Sequence, residues 1–466
     1  MTNKGTAKPY VKCIGASSVG VTQSCYIVRF QKFVIMLDCG IYQESDILTN
    51  YKKNQELLKK VKPKEIDYII LHEAHADHTC LIPALYARGC QAHIFVPSGT
   101  TQLLKILWED SCKIMTQDCQ KINNKHGLKI TPLYELVDIE NALNRCIEID
   151  IKTRYQFAPG LALTYYPSNH IIHACQLSLE MIQGYQKKVL NFTGDIGGKW
   201  EQPYVSPRED LPWGDVVLGE NTYNAEGRNN KHGDRKRDLE KISTVLNQAQ
   251  RVLIPVFALG RCQIMLTILY LLWKEGKIPK DINVWVDSPM AEKICDIYPK
   301  DNPLWDLVYN WENLSFVSDY VETLRLQNSK RPICVLSSAG MLSGGKSVSW
   351  AKAFAPDPNA HIIFCGYSSE STLASKIRFG DRMVFIEGEM VENNANITEL
   401  VSFSSHASRE ELIDYYINTL RFNKLLLVHG DFDNKVIFAQ ELQDKLASQG
   451  KSSRVIAVNM DTKVYI

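Results

Sequence analysis

The chain has 466 residues, of which 45% are hydrophobic, and a formal net charge of +1; it is long enough for two or three domains, and its charge excludes a polycation that binds nucleic acid through its whole surface. No run reaches the ~20 uninterrupted apolar residues of a membrane span, and the first residues lack the apolar core of a secretory signal. Thirteen cysteines without a Cys-x-x-Cys pair favour reduced thiols in a cytoplasmic protein over a disulfide framework.

Short β-rich runs dominate the first half of the chain. Strands are predicted at residues 11–14, 25–30, 33–37, 66–71 and 92–96. Helices are predicted at 79–88 and, from its apolar periodicity, at 99–119. Strand character returns at 161–166, 175–181, 188–192 and 215–218.

The loop between the strand at 66–71 and the helix at 79–88 carries five potential metal ligands within seven residues. They are His72, Glu73, His75, Asp77 and His78. A loop that leaves the end of a buried strand can aim such side chains at one point, because the sheet fixes its backbone. Imidazoles with a carboxylate are the ligands expected for zinc or a similar divalent ion. A solvated polar turn is the alternative, but three clustered histidines favour a metal site.

The order of the predicted elements changes near residue 229. Strands at 252–256, 284–286, 333–336 and 362–365 alternate with helical stretches, which predicts parallel βαβ units and hence a second domain of a different class. After residue 398 the pattern closes with the segment 400–403, a helix at 410–420, a strand at 425–428, a helix at 435–448 and a strand at 455–458. The charged run 231–237 is interpreted as a solvated face at the domain junction.

The histidines are concentrated at predicted strand ends. Of the 11 in the chain, seven fall in such polar motifs: His72, His75, His78, His170, His173, His406 and His429. Acidic residues at strand ends accompany them: Asp77, Asp195 and Glu220. A lone histidine is more often a satisfied core or surface residue than a ligand, but seven in one kind of location predict a shared site.

Short motifs follow one another in a specific order along nearly the whole chain. They are IMLDCG at 35–40, EAHADH at 73–78, NH at 169–170, TGD at 193–195, ENTY at 220–223, PVFALGR at 255–261, DSPM at 287–290, SAGM at 338–341, GY at 366–367, FSSHA at 403–407 and VHG at 428–430. In this order they resemble the metallo-β-lactamase fold in its β-CASP branch, the nucleases of RNA processing. The resemblance implies an α/β-β/α sandwich formed by residues 1–228 and 399–466, with a parallel-sheet β-CASP domain inserted at 229–398.

The same resemblance implies a site with two Zn²⁺ ions. The implied ligands are Glu73, His75 and His170 for the first ion and Asp77, His78 and His429 for the second, with Asp195 bridging. Asp77 would also orient the attacking water, while Glu220 and His406 match the family's paired acid and histidine beside the leaving group. A histidine at position 429 favours RNA, because the DNA-repair members of the family have valine there.

Glu73 departs from the family pattern, because it stands where the first histidine of the loop is expected. His72 lies one residue earlier, on a side chain that would ordinarily point the other way. A carboxylate can ligate zinc, but its charge favours harder ions such as Mn²⁺. The first metal position is therefore expected to be weaker, to prefer another metal or to be empty. Our hypothesis is that Glu73 is a surrogate ligand and that His72 points away from the metals; His173 also replaces a usual glycine.

Single-stranded RNA is the expected substrate, bound in a cleft between the two domains. The helices that start after the strands at 252–256 and 333–336 present backbone amides. Together with a guanidinium, these amides can bind phosphate groups whatever the base sequence of the RNA. A local cap and a plain turn are the alternative interpretations. The predicted substrate contacts are Arg261, Ser338, Gly340, Tyr367, Ser404 and Ser405.

Three function classes remain open from the residues and the resemblance. The first is a metal-dependent ribonuclease that hydrolyses phosphodiester bonds, with a homodimer left open. The second is a catalytically impaired paralogue that acts as an RNA-binding or scaffold subunit, which the change at Glu73 permits. The third is a small-molecule hydrolase on the same sandwich, which the long insertion disfavours because a small substrate needs no polymer groove.

Overall fold

The computed structural model describes residues 8–44, 46–225, 234–298, 302–366 and 372–466. The chain divides into two units: the first contains residues 1–201, 205–228 and 406–466, and the second contains 202–204 and 229–405. Within the described ranges, no helix combines the length and the hydropathy that crossing a membrane requires.

Both units contain strands and helices. The strands are β1 (Tyr10–Cys13), β2 (Tyr26–Phe30), β3 (Phe33–Leu37), β4 (Tyr68–Ile70), β5 (His93–Pro97), β6 (Cys146–Ile149), β7 (Tyr155–Ala158), β8 (Leu161–Pro167), β9 (Cys175–Gln183), β10 (Gln186–Phe192), β11 (Gly214–Glu220), β12 (Arg251–Pro255), β13 (Val284–Asp287), β14 (Leu314–Phe316), β15 (Ile333–Ser337), β16 (Ala360–Phe364), β17 (Met383–Ile386), β18 (Glu389–Glu392), β19 (Asn396–Glu399), β20 (Phe422–Val428), β21 (Arg454–Ala457) and β22 (Lys463–Tyr465). The helices are α1 (Ile47–Lys60), α2 (Ala76–Thr79), α3 (Ile82–Tyr86), α4 (Thr100–His126), α5 (Leu136–Leu143), α6 (Arg235–Gln248), α7 (Arg261–Lys274), α8 (Pro289–Ile297), α9 (Pro303–Tyr309), α10 (Tyr320–Gln327), α11 (Lys346–Phe354), α12 (Leu373–Arg378), α13 (Arg409–Asp414) and α14 (Phe432–Ser448).

The first unit is built on two seven-stranded sheets. The first sheet has the order β22-β1-β2-β3-β4-β5-β6 and the second has the order β21-β20-β11-β10-β9-β8-β7. Buried side chains from both sheets, among them Tyr26, Leu37, Phe192 and Leu218, form one apolar core between them. Helix α4 packs on β5 and β6 of the first sheet, and α14 packs on β21 of the second. The layers are therefore helix, sheet, sheet and helix, as the family resemblance implied.

The last segment of the chain completes both sheets of the first unit. Strand β20 pairs in parallel with β11, and β21 pairs in parallel with β20. Strand β22 instead pairs with β1 in the first sheet. Three neighbouring parallel strands, β10, β11 and β20, consequently end at the same edge of the second sheet.

The second unit has a six-stranded sheet in the order β14-β13-β15-β12-β16-β19. All its strand pairs are parallel, which confirms the expectation of parallel βαβ units. Trp350 and Phe354 of α11 belong to the core on one face of this sheet. A separate antiparallel hairpin is formed by β17 and β18.

The segment 400–403 is a loop rather than a regular element. The preceding strand β19 already ends at Glu399. The amides of Val401 and Ser402 donate to the carboxylate of Asp238, at 2.7 and 2.9 Å. Asp238 is fully buried on α6, so its oxygen satisfies backbone groups that would otherwise need a neighbouring strand. The apolar character of this segment therefore reflects burial and not a sheet.

Candidate metal centre and active site

Backbone contacts on two sides hold the loop between β4 and α2. Leu71 extends the strand by donating its amide to the Phe95 carbonyl at 2.9 Å. The Asp77 carbonyl accepts from the Ser24 amide at 2.8 Å. Gly40 lies so close to the same carbonyl that a Cβ at this position would lie 1.6 Å from the oxygen. A glycine is therefore required at this approach, which fixes the side chains of the loop relative to the sheet.

Four side chains form a cluster that we call the Asp77 cluster: Asp77, His78, Asp195 and His429, each offering a ligand atom within 4.8 Å of the others. Asp195 and His429 follow β10 and β20, so the strand ends bring them together. The His78 Nε2 atom lies 3.3 Å from Asp77 Oδ2 and 3.3 Å from Asp195 Oδ2. The His429 Nε2 atom lies 3.2 Å from Asp77 Oδ2. Two carboxylates thus alternate with two imidazoles.

A second group, the Glu73 cluster, contains Glu73, His75 and His170. His75 Nδ1 lies 2.9 Å from Glu73 Oε1, and His170 Nε2 lies 3.8 Å from Glu73 Oε2. The Glu73 side chain is fully buried. Burial alone would raise the pKa of its carboxyl, but His75 and His170 lower it to about 2. The residue that departs from the family pattern is therefore an ionised carboxylate facing two histidines.

An unusual turn positions His170 for this cluster. Asn169 and His173 on either side have left-handed backbone, with φ of 59° and 62°, which asparagine tolerates better than most residues. The Asn169 amide group donates to the carbonyls of Gly198 and Trp200 at 2.7 and 2.9 Å. These bonds anchor the turn at Asn169, whereas His173 adopts a backbone conformation that the usual glycine would adopt more easily.

Asp195 belongs to the Asp77 cluster and also lies close to the Glu73 cluster. Its Oδ2 atom lies 3.3 Å from His78 Nε2 and 3.8 Å from His170 Nε2. Burial would raise the pKa of this carboxyl, but His429 and His78 hold it well below its usual range. Asp195 is thus an anion that lies close to histidines of both clusters.

Three buried atoms of these clusters have no hydrogen-bond partner among the described residues. They are Glu73 Oε2, His78 Nε2 and Asp195 Oδ1. Ionisable groups lie 3.3–3.8 Å from each of these atoms, and the three atoms converge on one place. Imidazole nitrogens and carboxylate oxygens are the donors that Zn²⁺ and Mn²⁺ take. The residues present therefore fit divalent metal ions.

Asp38 and Thr222 also support the site, although sequence reasoning gave neither of them a role. Asp38 Oδ2 lies 2.9 Å from His78 Nδ1, and Thr222 Oγ1 lies 2.9 Å from His429 Nδ1. Because a carboxylate only accepts, His78 donates from Nδ1, and this bond directs Nε2 to the cluster. The position of Asp38 directly after a buried strand was the signal that could have identified it.

His406 and Glu220 form a pair next to Asp195. His406 Nδ1 lies 3.2 Å from Glu220 Oε1, and its Nε2 lies 3.9 Å from Asp195 Oδ2. The Glu220 carboxylate also accepts from the amides of Ile196 and Thr222, at 2.8 and 3.2 Å. Burial lowers the pKa of His406, but Glu220 and Asp195 outweigh that effect and leave it above the ordinary value. The pair is suited to hold a proton on His406.

The predicted substrate contacts that the structure describes belong to the second unit. Arg261 begins α7 and is 7% exposed. Ser338 Oγ lies 2.6 Å from Ser288 Oγ, and a Cβ on Gly340 would lie 3.2 Å from the Phe257 amide. The helix expected after the strand at 333–336 begins at Lys346. Ser404 is buried and Ser405 half-buried, directly before His406 in the chain, and Tyr367 lies outside the described residues.

Three family models match separate parts of the chain. The metallo-beta-lactamase superfamily matches residues 19–94. The Beta-Casp domain matches residues 262–377. The Zn-dependent metallo-hydrolase RNA specificity domain matches residues 390–453. The order of the three is the order of the motifs described above.

Curated relatives match most of the chain at about a quarter identity. Ribonuclease TTHA0252 of Thermus thermophilus is 27% identical over 88% of this chain and 91% of its own length. Transcription termination factor FttA of Methanosarcina mazei is 25% identical over 93% of this chain and 68% of its own length. Endoribonuclease ysh1 of Schizosaccharomyces pombe is 26% identical over 96% of this chain but only 56% of its own length.

The fold also occurs in a solved structure of low identity. The crystal structure of a protein of unknown function from Enterococcus faecalis V583 superposes with a TM-score of 0.54 at 11% identity, covering 99% of this chain and all of the other. That likeness concerns the fold alone. The matched domains and the curated relatives confirm the resemblance of the chain to the β-CASP branch of the metallo-β-lactamase superfamily.

Proposed function

We propose that this protein is a metal-dependent ribonuclease that hydrolyses phosphodiester bonds of single-stranded RNA. The observation that carries the proposal is the position of Asp195, which faces both metal-ligand clusters and the His406–Glu220 pair within 3.9 Å. Relatives named ribonuclease and endoribonuclease support the same chemistry. RNA processing is therefore the setting in which we expect the protein to act.

We infer that the two clusters hold two ions, with zinc as the expected metal. Glu73, His75 and His170 would hold the first and Asp77, His78 and His429 the second, with Asp195 shared between them. Divalent ions bound here would lower the pKa of a water molecule and neutralise charge on the phosphate. Because Glu73 is ionised, the first position carries one more negative charge than a histidine would give it, which favours Mn²⁺ more than the usual ligand set does.

Asp77 is the residue that we assign to orient the attacking water. Its side chain is 25% exposed, whereas those of His78 and Asp195 are 1% and 4% exposed. It is therefore the ligand-type carboxylate that a substrate-side water can reach. An ionised carboxylate there accepts a hydrogen bond from the water and directs its lone pair towards the phosphorus.

His406 is the residue that we assign to protonate the leaving 3′-oxygen. Glu220 occupies Nδ1 of the imidazole, so Nε2 carries the proton that can be transferred. The side chain of His406 is 20% exposed, while Glu220 is 1% exposed. The acid therefore reaches solvent while its partner stays buried and fixes its orientation, as general acid catalysis requires.

We propose that the second unit binds the RNA backbone without reading the bases. Arg261 at the start of α7 can contribute a guanidinium and backbone amides, and Ser338, Gly340, Tyr367, Ser404 and Ser405 are the other proposed contacts. Contacts of this kind position a strand but carry little sequence information. A homodimer is a further prediction, which sedimentation of the purified protein would test.

Metal analysis combined with a cleavage assay tests the proposed function. Protein purified without chelator should contain at least one equivalent of transition metal, held by the Asp77 cluster, and should cut labelled single-stranded RNA in Zn²⁺ or Mn²⁺. Less than about half an equivalent of metal would refute the assignment of the clusters. Full metal content without cleavage would instead support the impaired paralogue, which the intact His406–Glu220 pair disfavours.

A further inference from the structure

His72 is a fully buried histidine to which the proposed reaction assigns no task. It follows β4, and its ring lies edge-on to the rings of His78 and Phe192, with centroids 4.5 and 5.0 Å away. Its side chain has no exposed surface. The imidazole is therefore held in one orientation by its neighbours.

The two ring nitrogens of His72 have different partners. The Asp195 amide donates to Nε2 at 3.3 Å, and Nδ1 lies 3.1 Å from Asp38 Oδ1. Because a backbone amide can only donate, Nε2 must accept, and the proton of the neutral ring is on Nδ1. His72 therefore donates to Asp38 and accepts from Asp195. This pair of bonds leaves no lone pair on His72 for a metal.

Asp38 is a firm attachment for this ring. Besides His72, it accepts from Ser24 Oγ at 2.9 Å and from His78 Nδ1 at 2.9 Å. Burial would raise the pKa of the Asp38 carboxyl, but His72 and His78 lower it. The buried Asp38 carboxylate thus orients the imidazoles of both His72 and His78, but only His78 belongs to the Asp77 cluster.

Close packing against Gly194 shows how tightly His72 determines the backbone before Asp195. A Cβ on Gly194 would lie 2.0 Å from His72 Cδ2, and the residue has a left-handed φ of 53°. The backbone of His72 is also attached to the second sheet, because its carbonyl accepts from the Cys175 amide at 2.9 Å. The ring therefore joins the first sheet, which carries β4, to the chain that leaves β10 of the second sheet.

We propose that His72 is a positioning residue that sets the orientation of Asp195, and that it replaces no metal ligand. The hydrogen bond to the Asp195 amide fixes the backbone from which this shared carboxylate projects, and the bond to Asp38 fixes the ring. The inference rests on the proposed role of Asp195 as a ligand. It explains why a histidine one position before Glu73 does not compensate for the missing ligand histidine.

Two amide variants separate the two bonds of His72. In His72→Asn the side-chain nitrogen can occupy the place of Nδ1 and bond Asp38, but no acceptor reaches the Asp195 amide. In His72→Gln the amide group reaches the place of Nε2, where its oxygen can accept from Asp195, but the bond to Asp38 is lost. His126→Asn, an exposed change at the end of α4, controls for the loss of a histidine elsewhere.

The measurement is metal affinity without RNA, by competition of Co²⁺ and Zn²⁺ with a chromophoric chelator, together with the Co²⁺ absorption spectrum. We expect His72→Asn to weaken binding of at least one ion by about 10–100-fold, as loss of an outer partner does, and to alter the spectrum. His72→Gln should retain more of the affinity, and His126→Asn all of it. Thermal melting of the metal-free proteins establishes that each variant is folded.

Three results would overturn the inference. Wild-type affinity in His72→Asn would show that the bond to Asp195 has no influence on the metals. Equal losses in the Asn and Gln variants would attribute the effect to packing or to Asp38. Loss of one whole equivalent of metal in both would make His72 a ligand. Asp195→Asn distinguishes the failure of the proposed site, because unchanged binding of two ions in that variant would remove Asp195 from the ligand set.

Discussion

Replacing Glu220 with glutamine tests the proposed proton donor most directly. The change keeps the shape of the side chain and one oxygen that can accept from the Ile196 amide, but it removes the negative charge beside His406. Two unit charges 3.2 Å apart attract each other by about 5 kcal/mol at an effective dielectric constant of about 20. Burial of the imidazole opposes this attraction, so without the charge the protonated form of His406 is disfavoured.

The expected result is a loss that depends on pH. The pKa of His406 is raised by Glu220, so the wild type keeps the proton as pH rises through neutrality. Glu220→Gln lowers that pKa, and the rate should fall by about 10²-fold at pH 8, within the range of general acid catalysis. The loss should be smaller at pH 6, where protonation is recovered.

Single-turnover cleavage of labelled RNA at saturating metal, measured from pH 5.5 to 8.5, provides the test. In the double variant Glu220→Gln with His406→Ala, there is no imidazole left whose pKa the side chain at position 220 could raise. The cleavage rate should therefore fall no further than in His406→Ala alone. An equal loss at pH 6 and pH 8, or losses that multiply in the double variant, would show that Glu220 does not act through His406.

Three other predictions concern separate parts of the first unit. His406→Ala should slow the chemical step by about 10²–10⁴-fold with RNA affinity unchanged; a wild-type rate across pH 6–8 would contradict the assigned role. Glu73→His should tighten zinc at the first position and raise activity at low zinc, whereas a lower manganese-supported rate would identify Glu73 as a selected hard ligand. Burial lowers the pKa of Lys435 to about 8. Between this pH and about 10.4 the unfolded chain therefore binds more protons than the folded chain, and the free energy of unfolding rises with pH by up to about 3 kcal/mol. Lys435→Met should remove that rise relative to the wild type in urea unfolding under reductant at pH 7.5 and 10; an identical rise in both would contradict it.

Strands could be predicted from the sequence where they are continuous apolar runs. Residues 33–37 were predicted as a strand with the same bounds as β3, in which every residue is buried. Helix α1 was missed because only Asn54, Leu57 and Leu58 are buried along its 14 residues, which is too sparse for a periodic signal. The conformation of the segment 400–403 could not be predicted, because the carboxylate that binds its backbone amides, Asp238, is distant in the sequence.

The candidate site could be predicted where its chemistry is local in the sequence. Glu73, His75, Asp77 and His78 lie in one loop, and the structure gathers them with the histidines and acids at other strand ends. The role of His72 could not be predicted, because it depends on a backbone amide 123 residues away. The alternation of side chains along a loop predicts which residues face the metal-ligand clusters. It does not predict the hydrogen-bond partners of the residues that face away from them.

The carboxylate of Asp238 also bears on how the second unit came to interrupt the first. It binds amides 163 residues later in the chain, and Lys241 of the same helix donates to the Glu399 carbonyl at 2.7 Å. Bringing together the ends of a flexible segment of that length costs about 4–5 kcal/mol of chain entropy, which these bonds offset from within the segment itself. A host fold receiving such a segment meets two ends already side by side, the condition under which domain insertion is tolerated. The inserted segment could therefore be exchanged or enlarged in evolution without changes to the first unit, which carries the candidate metal ligands.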